Sequence, residues 1–189
     1  MALLLSLLTV LVVLSCGLSG SVGCVLPQNH ILLSNDSLVL LRQMKRISTL
    51  SCPNDTEDFR FPRGIINGIQ VQEAQAISVL QGMLQHISDL LLTEHASSAW
   101  NTTLLNQLRM GLYQQLEDLK PCLVQEMGEQ GTALSSQGPT RAVKRYFWGM
   151  FLYLKKKKYS DCAWEYVRVE IMRSLSSIIT LQEKLSNMD

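Results

Sequence analysis

Apolar residues recur along this chain at alternating intervals of three and four. From Trp164 the series Trp164, Val167, Ile171, Ile178, Leu181 and Leu185 advances by 3, 4, 7, 3 and 4, which places all six on one face of a long helix. Ser160 and Asp161 stand before it and can accept the amide hydrogens that a helix start leaves unpaired. Arg168, Glu170 and Arg173 fall off the stripe. Upstream, Val143, Phe147, Met150 and Leu154 predict a helix over 140–156. Leu105, Leu108, Leu112 and Leu119 predict one over 101–120, with Pro121 marking its end. Ile77, Leu80, Leu84, Ile87 and Leu91 predict one over 71–93, and Leu40, Met44 and Ile47, with Leu41 beside them, predict the first over 34–47. Ser34, Asn35 and Asp36 are its capping candidates.

The intervening segments decide how these helices are arranged. The first connection, 48–70, holds Pro53, Pro62, Gly64 and Gly68, too many breakers for a long helix. The link 94–100 is short. The next connection, 122–139, is again long and rich in Gly, Ser, Gln and Thr. Only antiparallel neighbours can be joined by a short loop, whereas parallel neighbours need a crossover as long as the bundle. Long, short, long therefore predicts an all-α, up-up-down-down four-helix bundle, with an additional helix, the one over 140–156, inside the second crossover: five helices in one domain. Aromatic content of 6%, with Leu, Ile, Val and Met supplying most of the apolar residues, favours helices over sheets.

Residues 1–23 carry no charged side chain, and Leu3 to Leu14 is apolar except for Ser6 and Thr9. With small Ser21 and Gly23 before a cut after Gly23, this reads as a secretory signal peptide. The apolar run is shorter than the ~20 residues of a spanning helix, so after leader removal residues 24–189 are expected to form a single secreted domain without membrane insertion. Cys16 leaves with the leader. Cys24, Cys52, Cys122 and Cys162 remain, an even count that implies two disulfides with three possible connectivities. No spacing is C-x-x-C, which disfavours zinc and thiol-redox chemistry.

Charge is balanced, 17 Lys and Arg against 16 Asp and Glu, and gives no global field for nucleic acid. His30, His86 and His95 have no metal-ligand spacing, and no P-loop, G-x-S-x-G or H-E-x-x-H occurs. Neither an enzyme nor a cofactor is expected. Lys155 to Lys158, with Arg141, Lys144 and Arg145 upstream, reads either as a solvated helix end or as a heparin or receptor patch. Asn35, Asn54 and Asn101 each head an N-x-[ST] sequon, and Asn101, at an exposed helix start, is the favoured glycosylation site.

Several stretches carry a specific likeness. Cys162-Ala163-Trp164-Glu165, Val167-Arg168 and Glu170-Ile171-Met172-Arg173-Ser174 resemble the C-terminal signature of type I interferons, in the wording of the omega and tau branches. Cys24-Val25-Leu26-Pro27-Gln28, Asp58-Phe59-Arg60-Phe61-Pro62, Ser78-Val79-Leu80, Ala99-Trp100-Asn101, Tyr113-Gln114-Gln115-Leu116 and Lys157-Lys158-Tyr159-Ser160-Asp161 extend the resemblance over 24–189.

The resemblance implies the pairs Cys24–Cys122 and Cys52–Cys162, each closing a loop of about 100 residues worth roughly 4–5 kcal/mol in the chain-entropy model. It also implies that one monomeric molecule bridges the two-chain type I interferon receptor and thereby starts kinase-coupled antiviral and antiproliferative signalling. Carried over by position, Leu38, Arg168, Val169, Met172 and Arg173 would meet the higher-affinity chain, and Leu104, Tyr113, Lys144 and Arg145 the second. Relatives usually place an apolar residue just after the second cysteine and an arginine three further on; Pro53 and Thr56 stand here instead, and Lys156 replaces a common Glu. A helical hormone for a different receptor and an amphipathic lipid carrier are the alternatives, the latter disfavoured by narrow stripes that suit a closed core.

Overall fold

The computed structural model describes residues 26–27, 29–67, 73–129 and 137–187. The expected leader and Cys24 lie outside the described residues. The helices are α1 (Asn29–Gln43), α2 (Arg63–Asn67), α3 (Glu73–Leu91), α4 (Glu94–Ala99), α5 (Thr102–Glu129), α6 (Gln137–Lys156) and α7 (Asp161–Ser186), with 3-10 turns at Thr49–Ser51 and Pro53–Asp55. The described residues are all helix, turn or irregular chain.

Side-chain pairs fix the direction of each long helix. His30 meets Asp118, Ser34 meets Gln115, and Ser37 lies against Gly111, so α1 runs antiparallel to α5. Ser34 also meets Gln182, and Arg168 meets the Leu41 carbonyl, so α1 is antiparallel to α7 as well. α5 and α7 are therefore parallel, and Gln182 Nε2 donates to Gln115 Oε1 between them at 2.9 Å. The short α4 link turns α3 into α5, and Arg109 closes the turn by donating to the Leu91 carbonyl. α1 and α3 thus point one way and α5 and α7 the other, the expected up-up-down-down bundle. α6 packs between α3 and α7: the His86 and Phe147 rings sit 5.6 Å apart, and Tyr146 donates to Glu170.

All six stripe residues of α7 are buried, and so are the stripes of α3, α5 and α6. Ser160 Oγ caps α7 by accepting from the Ala163 amide at 3.2 Å. Arg168 and Glu170, off the stripe, are buried too. They face α1 and α6, and a helix packed on three sides has little exposed circumference.

Three expectations are corrected. α1 begins at Asn29, not at 34, and ends at Gln43, leaving Ile47 outside it. Ser34, Asn35 and Asp36 are therefore mid-helix and cap nothing: Ser34 is buried in the polar layer with Gln115 and Gln182, and Asn35 donates to the Ile31 carbonyl. α5 does not stop at Pro121 but runs on to Glu129. Pro121 is exposed, so the carbonyl that loses its donor, that of Glu117, lies towards water rather than in the core. The link 94–100 is itself helical, with Thr93 Oγ1 accepting from the Ala96 amide.

Candidate functional site

The first candidate surface is built where the 49–56 segment meets α7. The Cys52–Cys162 bridge, Cα–Cα 5.7 Å, joins residues 110 apart in sequence. Side chains from α6, α7 and the turn between them hold the backbone around it. Tyr153 Oη donates to the Asp55 carbonyl at 2.6 Å, and Lys157 Nζ donates to the Asn54 carbonyl at 2.9 Å and pairs with the Asp55 carboxylate at 2.8 Å. Tyr166 Oη lies 3.2 Å from Thr56 Oγ1 and 3.4 Å from the carbonyls of Thr49 and Cys52. Burial, then the nearby Asp55 carboxylate, pushes the Tyr153 phenol above its ordinary value, so it remains a donor. A segment with two 3-10 turns and Pro53 within it is thereby fixed against the helices without a strand or long helix of its own.

Beside it, Arg168 forms a fork. Its Nε and Nη2 donate to the two oxygens of Glu165 at 3.0 and 2.5 Å, and Nη1 donates to the Leu41 carbonyl at 2.9 Å. That carbonyl is among the last four of α1, which have no partner within the helix. The Arg168 and Glu165 side chains are only 5% and 3% exposed. Leu38 is also buried. Among the residues expected to face the higher-affinity receptor chain, Leu38 and Arg168 are thus turned inward as supports, because α1 and α7 close over them. Val169 and Arg173 reach solvent, and Met172 is half-buried against the Arg168 guanidinium. Arg173 pairs with Glu170 at 2.9 Å. Leu50, 90% exposed in the adjoining 3-10 turn, and Pro53 extend this surface. Leu50 was not evident from the sequence, where nothing separates it from a core leucine.

The second set lies elsewhere. Tyr113 is exposed and Leu104 half-buried on α5, and Lys144 and Arg145 are exposed on α6. α3 stands between these helices, so the four residues share a broad face but not a compact cluster. Of the sequons, Asn101 is the exposed cap of α5, its Oδ1 accepting from the Thr103 and Leu104 amides. Asn35 is exposed on α1 and Asn54 in the second 3-10 turn. Cys122 is disulfide-bonded.

Two parallel pairs of helices joined by two long crossovers, presenting exposed side chains on separated faces, define a helical cytokine. The sequence agrees: the family model described as Interferon, interferon alpha/beta domain, matches residues 26–185. The chain belongs to the interferon alpha/beta family, whose members are cytokines and not enzymes. It is 60% identical to interferon omega-2 of Equus caballus over 189 residues, covering 100% of this chain and 97% of that one. It is 53% identical to interferon omega-1 of Homo sapiens, with the same coverage, and 53% identical to interferon tau of Cervus elaphus, covering 100% and 96%. The solved structure of zebrafish interferon 2 superposes with a TM-score of 0.70 at 26% identity, over 82% of this chain and 99% of that one.

Proposed function

We propose that this protein is a secreted, monomeric cytokine that bridges the two chains of the type I interferon receptor, bringing their cytoplasmic kinases together. The observation that carries this reading is the disulfide-clamped surface of the 49–56 segment and α7, which offers Val169, Met172 and Arg173 to the higher-affinity chain over a floor of Leu38 and Arg168. The face carrying Leu104, Tyr113, Lys144 and Arg145 takes the second chain. Residues 1–23 act as the leader, Cys24 pairs with Cys122, and Asn35, Asn54 and Asn101 are glycosylation sites, with Asn101 the favoured one.

Pro53 and Thr56 stand where relatives carry an apolar residue and an arginine, and Thr56 is engaged with Tyr166. Binding to the higher-affinity chain is accordingly weaker than in such relatives, and Pro53→Leu with Thr56→Arg strengthens it. Surface binding to each isolated receptor chain tests both claims. An antiviral protection assay on receptor-positive and receptor-deleted cells tests the whole reading: protection that persists in receptor-deleted cells assigns the protein to a different receptor.

A further inference from the structure

The first crossover brings arginines together with arginines of α6, on the flank of that helix opposite α3. His86 of α3 packs on Phe147, whereas the crossover packs on Tyr153 and Tyr146. Phe59 meets Tyr153 edge-on and Phe61 meets Tyr146 in the same way, each with ring centroids 5.1 Å apart. Residues 59–61 therefore run antiparallel to α6. Arg63, which opens α2, lies beyond Phe61 towards the start of α6, where α2 packs on α6. Between the two chains is a pocket of about 330 Å³ over Ala142 and Tyr146, with Arg60 on the crossover wall and Arg145 on the α6 wall. Arg141 stands one helical turn before Arg145 on the same face. All four arginines are exposed. None of them joins an ion pair among the described residues.

Arg60 has φ 54°, a left-handed backbone that residues with a side chain seldom adopt. Asp58 holds it there, with Oδ1 accepting the Arg60 N–H at 2.9 Å. That carboxylate is thereby spent on a backbone amide rather than on a guanidinium. Four cations on one flank without carboxylate partners repel one another, and a bound anion relieves this. The guanidinium fork matches the oxygens of a sulfate or phosphate group. Phe59 and Phe61 are turned onto α6, so the site has no exposed aromatic anchor for a protein hot spot, for insertion into a bilayer or for stacking of a nucleic-acid base. Sulfate esters repeated along an extracellular polysaccharide need only such a row of forked cations. The lysine run at the other end of α6 is less free, since Lys157 is paired with Asp55.

We propose that Arg60, Arg63, Arg141 and Arg145 form a binding site for a sulfated polysaccharide, with one sulfate group seated in the pocket between Arg60 and Arg145 and its neighbours on Arg63 and Arg141. Such a site retains the secreted protein at cell surfaces independently of any receptor. Arg60, Arg63 and Arg141 belong to neither receptor-facing set. Arg145 is shared with the face assigned to the second receptor chain, so the test leaves it in place.

The test is binding of the full-length secreted protein to immobilised heparin over a range of salt concentrations, with fully desulfated heparin, phosphatidylserine-containing vesicles and a single-stranded oligonucleotide as parallel surfaces. The wild type binds heparin at physiological salt and none of the other three surfaces as tightly. Arg60→Gly with Arg63→Ala weakens heparin binding by at least about 10-fold, the loss expected when charge-assisted contacts are removed. Glycine keeps the left-handed backbone at position 60 and removes only the side chain, so the thermal unfolding midpoint stays at the wild-type level. The slope of log affinity against log salt falls as well, because fewer counterions are displaced from the polyanion. Arg60→Lys with Arg63→Lys keeps the charge without the fork and binds between the two. Lys155→Ala with Lys156→Ala changes heparin affinity by less than about 2-fold. Absence of wild-type binding to heparin, wild-type affinity of the Arg60→Gly, Arg63→Ala protein, or an equal loss in the Lys155, Lys156 variant overturns the inference. Equal or tighter binding to vesicles, to the oligonucleotide or to desulfated heparin also overturns it. Since none of these readouts involves a receptor chain, each outcome leaves the bridging reading untouched.

Discussion

Removing the Arg168 guanidinium should unfold the protein more readily than any contact-surface substitution on α7. The fork donates to both oxygens of Glu165 and to the Leu41 carbonyl, with both charged side chains at or below 5% exposure. Arg168→Ala therefore leaves a carboxylate buried without its partner, which costs about 3–5 kcal/mol. The Leu41 carbonyl loses a donor in the same step, a contribution of about 1–3 kcal/mol that overlaps with the first and is not simply added to it. For a domain of this size each kcal/mol lowers Tm by about 2–4 °C, so the expected drop is roughly 6–20 °C. The loss comes from the stranded charge, so Glu165→Leu combined with Arg168→Met should recover most of it and fall within about 1–2 kcal/mol of wild type. Urea unfolding of the wild type, the single variants and the double variant gives the complete cycle. An Arg168→Ala cost below about 1 kcal/mol, or a double variant as unstable as the two single losses combined, would refute the buried-fork argument. Binding of the recovered double variant to the first receptor chain then reports the arginine's contact role without its stability role.

Three further outcomes follow from other parts of the bundle. Replacing Cys52 and Cys162 together by Ser lowers stability by about 2–5 kcal/mol, and in surface binding it impairs the first receptor chain more than the second. Tyr146→Phe removes a 2.6 Å bond from a buried hydroxyl to the Glu170 carboxylate and costs about 1.5–3 kcal/mol in denaturant unfolding. Burial and then Glu170 hold the Tyr146 phenol above its ordinary value of 10.0. That stabilisation is therefore complete below pH ~10 and is lost as pH rises towards the folded-state value, a slope that Tyr146→Phe flattens between pH 9 and 11. His30 is pulled the other way: burial holds its pKa below 6.5 despite the Asp118 carboxylate 3.2 Å away. Its contribution is present above pH ~6.5 and is lost as pH falls through the folded-state value, so His30→Gln should reduce the decline in unfolding midpoint between pH 7 and 5.

The helical stripes were legible because a 3-4 spacing of Leu, Ile and Val has only one common explanation, and the long-short-long connections carried the topology. What the sequence hid was polar. Ser34, Gln115 and Gln182 form a buried layer whose members look like surface residues one at a time, and they hid the first part of α1. Pro121 misled because its side of the helix, which no single sequence reveals, decides whether a missing amide matters. The off-stripe positions of α7 stood out in the sequence as a group, yet burial divides them: Arg168 and Glu170 face neighbouring helices, while Val169 and Arg173 face outward.

The Cys52–Cys162 clamp also sets the order in which the molecule becomes complete during synthesis. The long-range polar contacts of the 49–56 segment reach α6, α7 or the turn between them, about 100 residues downstream. Such long-range closure is slow and waits for the distant partner to emerge. α1, α3, α5 and α6 can gather while the chain is still growing. The clamped surface forms only once α7 has left the ribosome and oxidised. A nascent or truncated chain lacking α7 is therefore without the clamped surface, which is withheld until the last helix is in place.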